Sequence, residues 1–203
     1  MKHALKSIRQ FVRPAGRRVR VILYWLRRVR IGEGSRIQRP YVLLSPELLS
    51  IGKDTVIYPD AYISLVKEWA GLRYTPEIKI GDGVYIGRHA YFAAIDLIEI
   101  ENGCVLSEYV YITDHAHGLH PERGSIMHQP LESKGPVRIG RNCFLGFRVS
   151  IMPGVTLGDH CVVGANSIVT RSFPAYSMVA GCPAKVVKVF SSKARAWVPS
   201  HLK

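Results

Sequence analysis

Between Ile139 and Thr170 the chain repeats itself every six residues: IGRNCF, LGFRVS, IMPGVT, LGDHCV, VGANSI, VT. The first position of each six is Ile139, Leu145, Ile151, Leu157, Val163 and Val169, aliphatic without exception. The second favours glycine, at 140, 146, 158 and 164, and the fifth takes Cys143, Val149, Val155, Cys161 and Ser167. A period of six suits neither an amphipathic helix, which repeats near 3.6 residues, nor a plain strand, which alternates in twos.

It suits a chain that turns a corner every six residues, so that three flat faces close one triangular coil of about eighteen residues with the first position facing inward. Stacked at the interstrand spacing of ~4.8 Å, such coils pair their backbones with the coil above and below. Glycine near the corners is expected to supply backbone angles that a Cβ forbids. The predicted fold is all-β: a left-handed parallel β-helix built of hexapeptide repeats, with a short N-terminal helical segment and a protruding loop. Coils are expected to start at Ile31, Ile51, Ile80, Ile100, Ile139 and Leu157, over a domain spanning 31–190.

Two stretches break the period. The first, roughly Trp69–Lys79, is expected to project from a corner. The second, residues 118–138, is rich in Gly, Pro and charge and follows a histidine-bearing hexad, a position that favours a functional loop over an incidental one. Residues 191–203 form a polar tail, expected to be a short helix or to fray.

Residues 1–30 hold ten Lys or Arg and no acidic residue, so they supply +10 of the chain's net charge of +13. Apolar residues at helical spacing, with Tyr24 and Trp25, suit a basic amphipathic segment lying on an anionic membrane surface or capping the solenoid's open end. No nucleic-acid-reading module accompanies the charge, and nucleic acid is not an expected partner. Cys104, Cys143 and Cys161 fall on the fifth position of a hexad and none belongs to a CxxC pair, so buried free thiols are expected. With no secretory or membrane-spanning apolar run in view, the expected location is cytoplasmic, at most peripheral on the inner membrane face.

The inward positions are hydrocarbon, so chemistry must lie at corners and loops. In TDHAHG, His115 and His117 stand where the regular coil gives way to the long loop. An imidazole titrates near neutrality and suits removal of a proton from a hydroxyl or amine. Position alone leaves an incidental surface histidine open for either one.

The run from Ile112 to Lys188, with ITDHAHG, the long loop, PVRIGRNCFLGFRVSIMPGVTLGDHCVVGANSIVTR and AGCPAKVV, resembles the hexapeptide-repeat acyltransferases, in particular the galactoside, maltose and polysaccharide O-acetyltransferase branch. The resemblance implies acetyl transfer from acetyl-CoA to a sugar hydroxyl of a cell-surface glycan or its precursor, with no metal. It implies His117 as general base, His115 as a secondary, orienting or substrate-facing residue, and Asp114 as a candidate to hold the tautomer. Coenzyme A is implied at Phe147, Ala165, Thr170, Arg171, Lys185 and Lys188, in a groove between subunits of a homotrimer. Phe147 stands where relatives carry a small or polar residue.

On the acceptor side Asp96 and Tyr91 are candidates, with Glu108, Arg123 and His128 unseparated from them. By the raw period Asp96 points inward, unless the two extra residues before Ile100 alter the phase. The alternatives are N-acetyl transfer to an amino-sugar nucleotide, a zinc carbonic anhydrase on the same coil, and a non-catalytic solenoid. The second lacks a spaced histidine pair beyond the loop, and the third has no need of GANSIVTR or AGCPAKVV.

Overall fold

In the computed structural model, which describes residues 29–200, the chain winds into a three-faced parallel β-helix. The first face stacks Arg30–Ile31, Leu49–Ile51, Glu77–Ile80, Leu97–Ile100, Val137–Ile139 and Thr156–Leu157. The second stacks Arg36–Ile37, Val56–Ile57, Tyr85–Ile86, Val105–Leu106, Phe144–Leu145, Val162–Val163 and Ser177–Gly181. The third stacks Val42–Leu44, Tyr62–Leu65, Tyr91–Ala94, Tyr111–Thr113, Ser150–Ile151 and Ile168–Val169. Every expected coil start lies in register with the next: Ile31 on Ile51, Ile51 on Ile80, Ile80 on Ile100, Ile100 on Ile139, Ile139 on Leu157.

Ile139, Leu145, Ile151, Leu157, Val163 and Val169 are all buried, as are the fifth-position residues Cys143, Val149, Val155, Cys161 and Ser167. Cys104, Cys143 and Cys161 are free, and each thiol donates to a carbonyl of the following coil, those of Gly140, Gly158 and Pro174 at 3.0, 3.2 and 3.2 Å. A small side chain with a weak donor therefore fits the fifth position at the narrow angle of the triangle.

The corner glycines divide between two roles: Gly34, Gly83, Gly103 and Gly154 supply the expected left-handed angle, and the second-position glycines do not. Left-handed backbone falls on the fourth position of each hexad, at Asn142, Arg148, Gly154, His160 and Asn166. The second-position glycines instead permit close approach of coils: a Cβ on Gly140 would lie 2.6 Å from Asp159 Oδ1 and 2.7 Å from Asp159 N. Steric exclusion by the neighbouring coil, not the dihedral angle, requires glycine there.

The expectation for the tail changes, and both insertions take definite form. The interruption near Trp69 is an antiparallel hairpin, Glu68–Trp69 with Leu72–Arg73, and the first face resumes already at Glu77. The long insertion is ordered: His115–His117 pairs antiparallel with Leu131–Ser133, and short 3₁₀ turns occupy Pro121–Arg123 and Ile126–His128. Within the described part of the tail, Ala196–Pro199 is a strand, because it pairs with Ala184–Ser191, which itself folds back on Ser177–Gly181. The basic amphipathic segment assigned to 1–30 lies almost wholly outside the described residues.

A candidate active site at one corner

The chain passes from the third face to the first at one corner in each coil, and the chemistry-bearing residues collect there. Tyr111–Thr113 ends on the third face, and Asp114 and His115 follow at the turn. Asp114 is fully buried and accepts from the amide N–H groups of Ile95 at 3.0 Å and Asp96 at 2.8 Å, on the adjacent coil's corner. Its Oδ1 also lies 2.8 Å from His115 Nδ1, and its own carbonyl accepts from Ser133 Oγ at 2.8 Å.

These contacts settle the orientation of one imidazole. A carboxylate can only accept, so Nδ1 of His115 donates to it, and in the neutral ring the acceptor lone pair lies on Nε2. Thr113 Oγ1 stands 3.3 Å from the same Nδ1 and donates to the His115 carbonyl at 3.1 Å, bracing the turn. No hydrogen bond joins Asp114 to His117. His117 is two residues further along its strand, and its ring lies edge-on to Trp69, with centroids 5.3 Å apart. Its Nδ1 is the single buried side-chain nitrogen or oxygen without a partner among the described residues.

Asp96 does not point inward. The two extra residues join the first face, where Ile98 is buried in register with Ile78 and Val137, and Asp96 is left exposed at the corner between the hairpin and the long loop. It thus shares the corner with Asp114 and His115. Tyr91 does not: it lies on the outer side of the third face, stacked between Tyr62 and Tyr111 at 4.4 and 4.9 Å. Burial, and then its two tyrosine neighbours, push its hydroxyl up to about 12.

The six expected coenzyme positions divide among three places. Thr170 and Arg171 occupy the same corner as the histidines, two coils on, at a stacking distance of about 10 Å. Phe147 and Ala165 stand at the corner between the second and third faces, where Phe147 meets Tyr109 edge-on at 5.6 Å and lies beneath Arg148. Lys185 and Lys188 are exposed on the strand Ala184–Ser191. One chain brings Arg171 toward the histidines and leaves Phe147 and Ala165 on another edge. Among the described residues no group of three or more His, Cys, Asp or Glu is placed to hold a metal ion.

Residues that sequence reasoning passed over complete the corner. Trp69 Nε1 donates to the Gln129 carbonyl at 3.1 Å, and Tyr74 Oη bridges Leu131, donating to its carbonyl at 3.2 Å and accepting from its N–H at 2.9 Å. Their signal was present: two aromatic residues inside an insertion that interrupts a repeat.

Comparison with known proteins agrees with this architecture. Residues 136–171 match the family model described as hexapeptide repeat of succinyl-transferase. The chain is 35% identical over 127 residues to the provisionally named lipopolysaccharide biosynthesis O-acetyl transferase WbbJ of Escherichia coli K12, covering 59% of this chain and 64% of that protein. It is 36% identical over 111 residues to a provisionally named acetyltransferase of Mycobacterium tuberculosis, covering 55% of this chain and 37% of the relative. The match therefore spans less than two thirds of either relative.

Among solved structures, the Bacillus cereus N-acyltransferase AntD, in complex with dTDP and 3-hydroxybutyryl-CoA, superposes with a TM-score of 0.65 at 18% identity over 80% of this chain and 84% of that one. A galactoside acetyltransferase in complex with coenzyme A superposes with a TM-score of 0.56 at 23% identity, over 81% of this chain and 66% of that one. The chain has the left-handed parallel β-helix fold, and its residues 136–171 carry the matched hexapeptide repeats. The resemblance read from its motifs is borne out by relatives that are named acetyltransferases.

Proposed function

We propose that the protein is an acetyl-CoA-dependent O-acetyltransferase acting on a sugar hydroxyl of a cell-surface glycan or its precursor, with His115 as general base and Asp114 as the residue that orients it. The observation that carries this reading is the Asp114–His115 hydrogen bond at 2.8 Å, which leaves Nε2 of a corner imidazole free. His115 Nε2 takes the proton of the acceptor hydroxyl as its oxygen attacks the thioester carbonyl. The tetrahedral intermediate then expels the coenzyme A thiolate, and the imidazolium returns the proton to sulfur. Oxygen acylation needs no covalent enzyme intermediate, and the buried thiols of Cys104, Cys143 and Cys161 take no part. Arg171, Lys185 and Lys188 would neutralise coenzyme phosphates, with Thr170 and Ala165 beside the pantetheine arm.

The outer faces support a homotrimer. The first face carries Arg30, Ser50, Lys79, Glu99, Arg138 and Thr156 outward in register, and Arg138 pairs there with Glu99. The second carries Arg36, Val56, Tyr85, Val105, Phe144, Val162 and Met178, and the third Val42, Tyr62, Tyr91, Tyr111, Ser150 and Ile168. Two faces apolar over most of their length and one charged face suit a closed ring in which the second face of one copy covers the third face of the next. Such a ring brings different corners of neighbouring copies together, as the divided coenzyme positions require.

The basic segment 1–30 would hold the assembly on an anionic membrane surface. Sedimentation with anionic vesicles, for the full chain and for a chain lacking residues 1–28, tests this: equal sedimentation of the two refutes it. For the reaction, thiol release from acetyl-CoA is measured with hydroxyl and amino sugars as acceptors. His115→Ala should lower turnover by roughly 10²-fold or more, and His117→Ala by much less. The reverse order would return the base to His117, and turnover confined to amino sugars would make the reaction N-acylation.

A further inference from the structure

The two insertions of this solenoid arise from the same corner, two coils apart. The hairpin leaves the second coil after Leu65, and the long loop leaves the fourth after Thr113. Between them lies the corner of the third coil, Ile95 and Asp96, whose amides Asp114 captures. The hairpin crosses that corner and fastens onto the loop through three hydrogen bonds, from Trp69 to Gln129 and between Tyr74 and Leu131 in both directions. Gln129 in turn is buried and clamps the loop from within, accepting from His120 N at 2.9 Å and donating to the carbonyls of His120 and Gly124 at 2.9 and 3.1 Å.

The hairpin therefore controls the strand that bears both histidines. His115 and His117 are two residues apart in that strand, with Ala116 exposed on the opposite side, so their rings project the same way, roughly 6.6 Å apart along the backbone. Trp69 packs edge-on against the far end of this pair, where the Nδ1 of His117 is buried. A buried ring nitrogen without a partner is costly, and it is held only where its surroundings over-determine it. Trp69 itself stays partly exposed.

We propose that the Trp69 hairpin is the acceptor-specificity element of the site: it straps the histidine loop to the corner, and Trp69 with His117 forms an aromatic wall beside His115 for the apolar face of a saccharide ring. The proposal rests on the acetyltransferase reading above. An indole presents a large rigid surface of this kind at little conformational cost, and Asp96, exposed on the intervening corner, supplies an acceptor for sugar hydroxyls. In this arrangement His117 and Trp69 are positioning residues, and the proton passes through His115.

The test uses the full chain with W69A, W69F and Y74F, acetyl-CoA as donor, and de-O-acetylated lipopolysaccharide and methyl hexopyranosides as acceptors. W69A should raise the acceptor KM by about tenfold or more while the acetyl-CoA KM stays within about twofold, and W69F should recover most of the loss by restoring a ring. Hydrogen exchange in residues 118–133 should quicken in W69A and Y74F, with the coils from Ile139 to Val169 unchanged. An unaltered acceptor KM in W69A overturns the wall, and unaltered exchange in 118–133 overturns the strap. If the wild type acetylates none of these carbohydrates, the acetyltransferase reading falls instead. Protection of residues 66–76 and 115–133 on adding the same carbohydrates then decides the wall on its own, its absence refuting it.

Discussion

Asp114→Asn separates the two histidines more sharply than removal of either. The carboxylate accepts Ile95 N and His115 Nδ1 through Oδ1, at 3.0 and 2.8 Å, and Asp96 N through Oδ2 at 2.8 Å. An asparagine keeps one oxygen and turns the other into a donor. If its NH₂ faces His115, the imidazole must place its proton on Nε2 and ceases to be a base. If its NH₂ faces Asp96, an amide loses its partner while His115 keeps a neutral acceptor. A hydrogen bond to a charged group is worth about 1.5–3 kcal/mol, which at ~1.4 kcal/mol per decade converts to roughly 10–150-fold in kcat/KM. The orphaned amide costs about 1–3 kcal/mol, or on the order of 2–12 °C in Tm for a chain of this size. Thiol release at varied acetyl-CoA measures the first and thermal unfolding the second. The double variant D114N/H115A should be no slower than H115A, since both act on one imidazole. A D114N enzyme within about threefold of wild type, beside an H117A enzyme that has lost roughly 10²-fold, would refute the pairing.

Other outcomes follow from the same geometry. Tyr85→Glu with Phe144→Glu, on the second face, should convert the proposed trimer to a species near the monomer mass of 22.7 kDa by light scattering, and a wild type already monomeric at micromolar concentration would remove the trimer. Because Tyr91 holds its proton up to about 12, the folded state binds more protons than the unfolded state above pH 10; stability should fall from pH 10 to 12, and Tyr91→Phe should flatten that fall. Gly140→Ala should destabilise by about 1–3 kcal/mol in denaturant titration, since the added Cβ meets the backbone of the next coil at 2.7 Å; Gly71→Ala, in open space but left-handed, should cost only about 1–2 kcal/mol.

The coils were legible because their physics is local in sequence. A side chain must face the axis once per corner, the corner recurs every six residues, and Ile139, Leu145 and Ile151 record that constraint in order. What the period could not convey was which backbone feature each glycine served. Gly140 and Asn142 both lie at one corner, but the first answers to the neighbouring coil and the second to its own dihedral angle. Distinguishing a close approach from a left-handed residue needs the coil above, which lies eighteen or more residues away. The same distance hid the tail: Ala196–Pro199 is a strand only because Ala184–Ser191 folds back first and offers an edge.

At the site, the composition of the corner was legible and its pairings were not. TDHAHG names the residues, but Asp114 selects His115 over His117 through the corner of the preceding coil, whose two amides fix the carboxylate before either histidine is considered. A hexad position cannot report that selection, because it depends on Ile95 and Asp96, which the two extra residues before Ile100 move out of phase. Insertions break the period, and with it the means of placing what lies beside them. Trp69 and Tyr74 sit in one insertion and contact Gln129 and Leu131 in the other, about sixty residues on. Two insertions in unlike coils can meet only if both leave from the same corner, so their shared corner was the one inference the interrupted repeat allowed: both breaks fall after the third strand of a coil. A chain that interrupts a regular solenoid twice at a single edge is building there what the repeat cannot supply, and in this protein that edge holds the Asp114–His115 pair.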